Sequence, residues 1–377
     1  MLNSMWEVLA SPTYAIKQGK RVKMRECKKR ILPSDEVLTY SGRIDFDKKD
    51  APVFVYPCTS VRFAVRGKNV WVVMENFRCY FENSVGVLVD GDYKGKCILP
   101  DEGSVEIDIS AFLDGGEHEV AIFKRQDASH YVAFLGLITG KDTEISKSNV
   151  QFARRIEVYG DSVSAGEVSE AVARAGLSDP ENNGEYSNSF YSYSWLCARK
   201  LHADIHDVAQ GGIALLHGQG YFAGPDYTGM EESYDKIEMN PYLGETKPWD
   251  FSKYIPHVVI VAFGQNDANP VNYMAEDYEG EQAKHWRAEY RKFIETIKGK
   301  YPKCEIILAT TILNHDAAWD RAIGQVAEEM QDAHVHHFLY TNNGCGTHGH
   351  IRIPEAEKMA EELSGFIESL GEEIWKD

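Results

Sequence analysis

The hydrophobic pattern of this chain changes period once, near residues 140–150, and that change constrains the architecture more than any other feature. Before it, short β-branched runs recur at strand spacing: 53–56, 61–65, 70–74, 85–89, 105–109, 119–123 and 133–137. Turn-forming residues separate them, among them Gly67-Lys68-Asn69, Asp90-Gly91-Asp92 and Asp114-Gly115-Gly116. Strands punctuated in this way predict a two-sheet β-sandwich of jelly-roll type over residues 31–142. The polar stretch from Thr139 to Ser148 reads as a linker. After it, strand-like runs at 155–159, 203–209, 257–262, 305–309 and 335–340 alternate with helical ones at 187–201, 283–300, 316–331 and 354–370. The 257–262 run is continuously apolar, as a strand buried on both faces is. Such alternation predicts an α/β domain over residues 150–377 with a parallel sheet of about five strands. Residues 1–30 are basic and weakly patterned, a lead-in segment with one helix at most.

Composition removes several classes of function. Forty Lys and Arg stand against 58 Asp and Glu, a formal net charge of −18. That surplus repels nucleic acid and anionic membranes, so neither is expected as a partner. No run approaches the roughly 18 apolar residues of a membrane span. The first 30 residues hold no apolar core of a secretory signal, and a cytoplasmic setting is expected. The seven cysteines are widely spaced and form no CxxC pair, so no zinc or disulfide framework is legible. His334, His336 and His337 cluster, but a zinc site needs ligands from a second element, and no metal or other cofactor is expected. His202 and His206 flank the second strand and satisfy ordinary polar needs. The sequence leaves the oligomeric state open.

In open parallel sheets ligands bind beyond the carboxyl ends of the strands. The first strand runs into Gly160-Asp161-Ser162. A serine at that strand-to-helix junction exposes its hydroxyl above the sheet beside a backbone N–H; the same triplet also makes a plain N-cap. Ser164 fills the place of the second glycine in a G-x-S-x-G elbow, so that motif is absent. The second strand ends in Gly211-Gly212, which permits close backbone approach and a second oxyanion donor, or an ordinary turn. The third ends in Gly264-Gln265-Asn266-Asp267, where the Asn266 amide is a third donor or the start of an Asx-turn. The loop after the fifth strand carries His348 and His350, and a histidine there can act as general base towards Ser162. Each block is weak alone. Four of them at four strand ends point to acyl transfer.

Taken in order, these blocks resemble the SGNH (GDSL-type) hydrolases, and more closely carbohydrate esterase family 2. The resemblance extends into the sandwich through Tyr40-Ser41-Gly42-Arg43, Val89-Asp90-Gly91 and Phe123-Lys124-Arg125-Gln126-Asp127. It continues through Trp249-Asp250-Phe251-Ser252 and Lys358-Met359-Ala360-Glu361-Glu362-Leu363, and covers about residues 38–370. It implies a jelly roll followed by a flavodoxin-like SGNH-hydrolase domain. It also implies a serine carbohydrate esterase that removes acetyl groups from acetylated hemicellulose oligosaccharides of manno-, xylo- or gluco-type.

On that resemblance Ser162 is the nucleophile. The oxyanion hole comprises its own N–H, the Gly212 N–H and the Asn266 side chain. Spacing back from Lys358-Met359 makes His350 the base; spacing forward from Gly344-Cys345 makes it His348, the alternative. The acid that such enzymes carry two or three residues before the histidine is replaced by His348 or Thr347. A Ser–His dyad with the imidazole held by a backbone carbonyl is therefore expected. Gly349 stands where an aromatic often precedes the histidine, and Ile351 where a proline follows it, so no sugar-stacking aromatic is identified. Two other readings are an SGNH esterase or acyltransferase on other small acyl esters, and a non-catalytic sugar-binding protein. The first usually lacks the jelly roll, and the second does not need Ser162, Gly212 and Asn266 together.

Overall fold

The computed structural model describes residues 28–346 and 348–376. The lead-in helix therefore falls outside the described residues. From the end of that segment, Lys29–Ile31 pairs antiparallel with Tyr131–Thr139. Two six-stranded antiparallel sheets make the sandwich. One runs Ile44–Asp45, Val53–Phe54, Tyr131–Thr139, Val70–Phe77 and Glu102–Asp108. The other runs Glu144–Ser146, Ser60–Arg66, Glu117–Lys124, Ser84–Val89 and Asp92–Ile98, with Thr39–Ser41 beside Ser60–Arg66. Strand alternation sends Phe63, Val72, Met74, Ile122 and Phe134 into one apolar core, each worth roughly 1.5–3 kcal/mol on burial. The expected linker is in part a strand: Glu144–Ser146 pairs with Ser60–Arg66. Both its outer residues are exposed and only Ile145 is half-buried, so hydropathy carries almost no trace of it.

The second half is a five-stranded parallel sheet. Its strands are β1 (Arg154–Gly160), β2 (Ala203–Ala209), β3 (Val258–Ala262), β4 (Glu305–Ala309) and β5 (Val335–His337). Their order is β2-β1-β3-β4-β5. The chain leaves β1 to one side and returns to the other, so the topological switch lies between β1 and β3, where α/β sheets bind ligands. Every residue of β3 is buried. β5 pairs only through Val335–His337 at the sheet edge and stops short of Tyr340. Among the helices are α1 (Ser162–Ala165), α2 (Tyr193–Lys200), α3 (Glu281–Lys300), α4 (Ala317–Met330) and α5 (Ile353–Ser369), with further single turns in the connections. α2 starts at Tyr193, not at Ser187, because Ser192 caps it by accepting from the Trp195 N–H.

Polar side chains cross between the two halves. Arg43 of the sandwich is fully buried and donates to Glu157 Oε1 on β1 at 2.9 Å and to Tyr159 Oη at 2.7 Å. Asp127, just beyond Glu117–Lys124, accepts from the Gly211 N–H at 2.7 Å. The sandwich thus abuts the carboxyl ends of β1 and β2.

Candidate active site

Ser162 is the first residue of α1, directly after β1. Asp161 caps that helix, its carboxylate accepting from the Val163 N–H at 3.0 Å. The same carboxylate accepts from Gln265 Nε2 at 2.5 Å and Asn266 Nδ2 at 3.3 Å. One buried acid therefore ties the end of β1 to the end of β3. Burial pushes its pKa up to about 6. Gly160 permits the tight passage: a Cβ there would stand 2.1 Å from Ser164 Oγ.

Gly212 adopts the left-handed conformation with φ +73°, open to glycine without strain. Its carbonyl accepts from Tyr221 N–H at 2.7 Å, and among the described residues no hydrogen bond engages its own N–H. Gly211 is fixed from outside by Asp127, which also accepts from Gln210 Nε2 at 2.8 Å. Asn266 lies beside Asp161, and its amide also donates to the carbonyl of Ile213, one residue past Gly212, at 3.0 Å. Its neighbour Asp267 clamps the surrounding loops, accepting from Leu215 N–H at 3.0 Å and Trp286 Nε1 at 2.6 Å.

His350 is held by a carboxylate, not by a backbone carbonyl. Its Nδ1 lies 2.6 Å from Asp179 Oδ2, and its own N–H donates to Asp179 Oδ1 at 3.0 Å. Asp179 comes from the long connection between α1 and α2, 171 positions away in sequence. Arg352, fully buried, donates to the other oxygen of Asp179 at 2.8 Å. The dyad expectation is thus corrected: the acid is present, but from a different element. Gly349 makes this possible. A Cβ on it would lie 2.8 Å from Asp179 Oδ1, at a φ of +77°, so the missing aromatic and the relocated acid are one feature. His350 Nε2 faces Glu167 Oε2 at 3.9 Å. Glu167 in turn donates its N–H to the Ser162 carbonyl at 2.9 Å, which brings the imidazole to the Ser162 end of the sheet. Burial alone would push the His350 pKa down; the charge of Glu167 and the bond to Asp179 outweigh it and hold the pKa above the ordinary imidazole value. His348, the alternative base, is exposed on the same loop, and among the described residues no hydrogen bond joins it to this cluster.

Sequence reasoning therefore brings Ser162, Gly212, Asn266 and His350 to one sheet edge and misses Asp179, Arg352 and Glu167. The Asp179-Pro180 step reads locally as a turn. The available clue was length, since a connection this long inside a compact domain usually carries function. Three other histidines lie away from this site, and among the described residues the buried His206 Nδ1 has no hydrogen-bond partner, contrary to the expectation that it meets an ordinary polar need. His334 Nδ1 and His336 Nε2 both meet Glu305, at 2.8 and 2.7 Å. His206 stacks on Tyr254 with ring centroids 3.5 Å apart.

Known proteins resemble this chain in sequence and in fold. Residues 40–148 match the carbohydrate esterase 2 N-terminal family model. An acetylxylan esterase / glucomannan deacetylase of Cellvibrio japonicus is 26% identical over 340 residues, covering 89% of each chain. Cellulase/esterase CelE of Acetivibrio thermocellus is 26% identical over 343 residues, 88% of this chain and 39% of that much longer one. A family two carbohydrate esterase from Clostridium thermocellum, solved with cellohexaose, superposes with a TM-score of 0.75 at 23% identity, over 90% of this chain and all of that one, 100%. Est2A, an acetyl xylan esterase of Butyrivibrio proteoclasticus, gives a TM-score of 0.74 at 20% identity, over 93% of this chain and 100% of that one.

Proposed function

We propose that this esterase, an SGNH-type hydrolase resembling carbohydrate esterase family 2, removes acetyl groups from acetylated hemicellulose oligosaccharides through a serine acyl-enzyme. Ser162 Oγ attacks the acetyl carbonyl while His350 Nε2 takes its proton; Nδ1 stays bonded to Asp179, which stabilises the imidazolium. The sugar oxygen leaves with that proton, freeing the saccharide alcohol and an acetyl-serine. Water then attacks the acetyl-serine with His350 again as base, and acetate departs. The tetrahedral oxyanion is received by the N–H groups of Ser162 and Gly212 and by the Asn266 amide. Asn266 shares that amide with Asp161, and the 3.3 Å contact is the one an oxyanion displaces.

The observation that carries the reading is the His350–Asp179 pair, 2.6 Å long, at the sheet edge that bears Ser162. The relatives named for acetylxylan and glucomannan support acetylated hemicellulose as the substrate class. A cytoplasmic enzyme fed by imported oligosaccharides belongs to the same reading, and the six described cysteines, all free, accord with a reducing compartment. The test is acetate release from acetylated xylo- and glucomanno-oligosaccharides. Wild type should release acetate faster than longer acyl groups, and Ser162→Ala should lose several orders of magnitude while retaining the wild-type circular dichroism spectrum. Undiminished turnover by folded Ser162→Ala overturns the serine mechanism.

A further inference from the structure

Beside the Ser162 edge, the sandwich and the α/β domain enclose a narrow cleft. Tyr80, Phe81 and Asp127 line it from the sandwich; Glu167, Asn183 and Gly184 line it from the connection between α1 and α2. The enclosed space in the cleft is small, ≈ 20 Å³, room for about one water. A sugar ring can therefore lie across the mouth but not sink inside.

The mouth is built of aromatic surface. Phe81 is 42% exposed and Tyr80 46% exposed. Their rings meet edge to face with centroids 5.2 Å apart. Tyr80 is pinned below by its hydroxyl, 2.6 Å from Ser129 Oγ, and by His130, whose ring centroid is 5.4 Å away. Phe81 sits at φ +46°, a region bulky side chains rarely occupy and one that clusters at ligand sites. Gly184 lets the two segments approach closely, since a Cβ there would stand 3.0 Å from Phe81 Cβ. The ring therefore stays partly exposed beside the cleft.

The cleft and the reacting centre share Glu167. One carboxylate oxygen accepts from Asn183 Nδ2 at 3.1 Å, and the other faces His350 Nε2 at 3.9 Å. Asp127, by contrast, is occupied by Gly211, Gln210 and Ser129. The cleft therefore offers an apolar platform and, in Glu167, a carboxylate with acceptor capacity for hydroxyl groups that also faces His350.

We propose that Phe81 and Tyr80 of the sandwich form a glycan platform contiguous with the Ser162 centre, taking a neutral pyranose of the chain that bears the acetyl ester, with Glu167 accepting from its hydroxyls. The proposal rests on the deacetylase reading above and adds that the β-sandwich itself holds substrate. A uronate would meet the Glu167 carboxylate, so neutral segments are expected to bind better than uronate-bearing ones.

The test compares two substrates on one enzyme. In Phe81→Ala and Tyr80→Ala, kcat/KM for an acetylated xylo- or glucomanno-oligosaccharide should fall roughly tenfold further than kcat/KM for an aryl acetate. The loss should appear in KM. Unacetylated cellohexaose or xylohexaose should inhibit wild-type aryl acetate hydrolysis competitively, with a Ki raised by a similar factor in Phe81→Leu and restored in Phe81→Tyr. Phe81→Leu keeps bulk while removing the aromatic face, and so separates stacking from folding. Equal losses on both substrates, an unchanged Ki in Phe81→Leu, or stronger inhibition by a uronate-bearing oligosaccharide than by a neutral one each overturn the platform. Failure of the wild type to cleave any acetyl ester would instead overturn the deacetylase reading.

Discussion

At the scale of single residues, the central fact is that Asp179 orients His350 from a part of the chain far from it in sequence. The aspartate binds three groups at once: His350 Nδ1, the His350 N–H and Arg352 Nη2. His350→Ala should approach Ser162→Ala in severity, whereas the exposed His348 should be replaceable by Ala with less than a twofold change in kcat/KM, about 0.4 kcal/mol or less. Steady-state hydrolysis of an aryl acetate decides between them, and the opposite pattern would exchange their roles. Asp179→Asn should lower kcat by roughly 10²–10⁴-fold, since a neutral amide cannot stabilise the imidazolium. The sign of its pH effect follows from the proposed role of His350 as base. His350 must be neutral to accept a proton, so activity falls as pH drops through its pKa. Because the bond to Asp179 and the charge of Glu167 raise that pKa, the acid limb of wild-type kcat/KM should lie above the ordinary value of about 6.5. Removing the charge at 179 should move the limb to lower pH; a pH–rate profile with a limb unmoved in Asp179→Asn would separate Asp179 from the base. Ser162, Gly212, Asn266 and His350 were legible because each closes a strand or precedes a helix with its own composition cue. Asp179 and Arg352 were not, because their meaning lies in a contact between segments and neither has a local pattern to mark it.

At the scale of elements, the strand-to-helix corner at Gly160 places Ser162, the proposed nucleophile. Ser164 packs directly over Gly160, and its hydroxyl is 2.8 Å from Tyr193 Oη on α2. Gly160→Ala would set a Cβ 2.1 Å from Ser164 Oγ and 2.6 Å from Ser164 Cβ, so α1 must shift. Overpacking of this kind costs about 1–3 kcal/mol, and displacement of a reacting group by about an ångström can cost 10²-fold in rate. The variant should therefore fold with a modestly lower melting temperature and lose most esterase activity. A Gly160→Ala enzyme with wild-type kcat would show that the corner has slack. Elements with a strong period were readable: β3 is apolar throughout, and α4 begins where Asp316 caps it. Those governed by pairing were not. Glu144–Ser146 is a strand because Ser60–Arg66 offers it an open edge, and β5 is cut short because only β4 lies beside it.

For the whole molecule, the junction is polar and buried, not a loose tether. Arg43 lies in the α/β domain's interior against Glu157, Tyr159 and the carbonyls of Tyr234 and Lys236. Both ion-pair partners are fully buried. Arg43→Ala leaves Glu157 without its partner, which should cost about 3–5 kcal/mol and can be read as a drop in the urea midpoint. Arg43→Met with Glu157→Gln should recover part of that loss, because the cost lies in the orphaned charge. A single variant as stable as wild type would show that the junction contributes little. The two-domain plan was visible in the change of hydrophobic period, but the junction was not. Arg43 stands in a short segment next to Gly42 that gives no hint of crossing into the other half, and Asp127 reads as a turn residue until Gly211 is found against it.

The close approach of Gly349 to Asp179 also has a consequence for inheritance. With Asp179 Oδ1 and the Leu177 carbonyl each 2.8 Å from where a Cβ would be, neither position can change freely while the other keeps its role. A lineage that acquires a bulky side chain at 349 must first surrender the carboxylate at 179, or supply another within the histidine loop. The two positions are therefore expected to covary among homologous chains: glycine with the distant acid, a larger residue with an acid nearby.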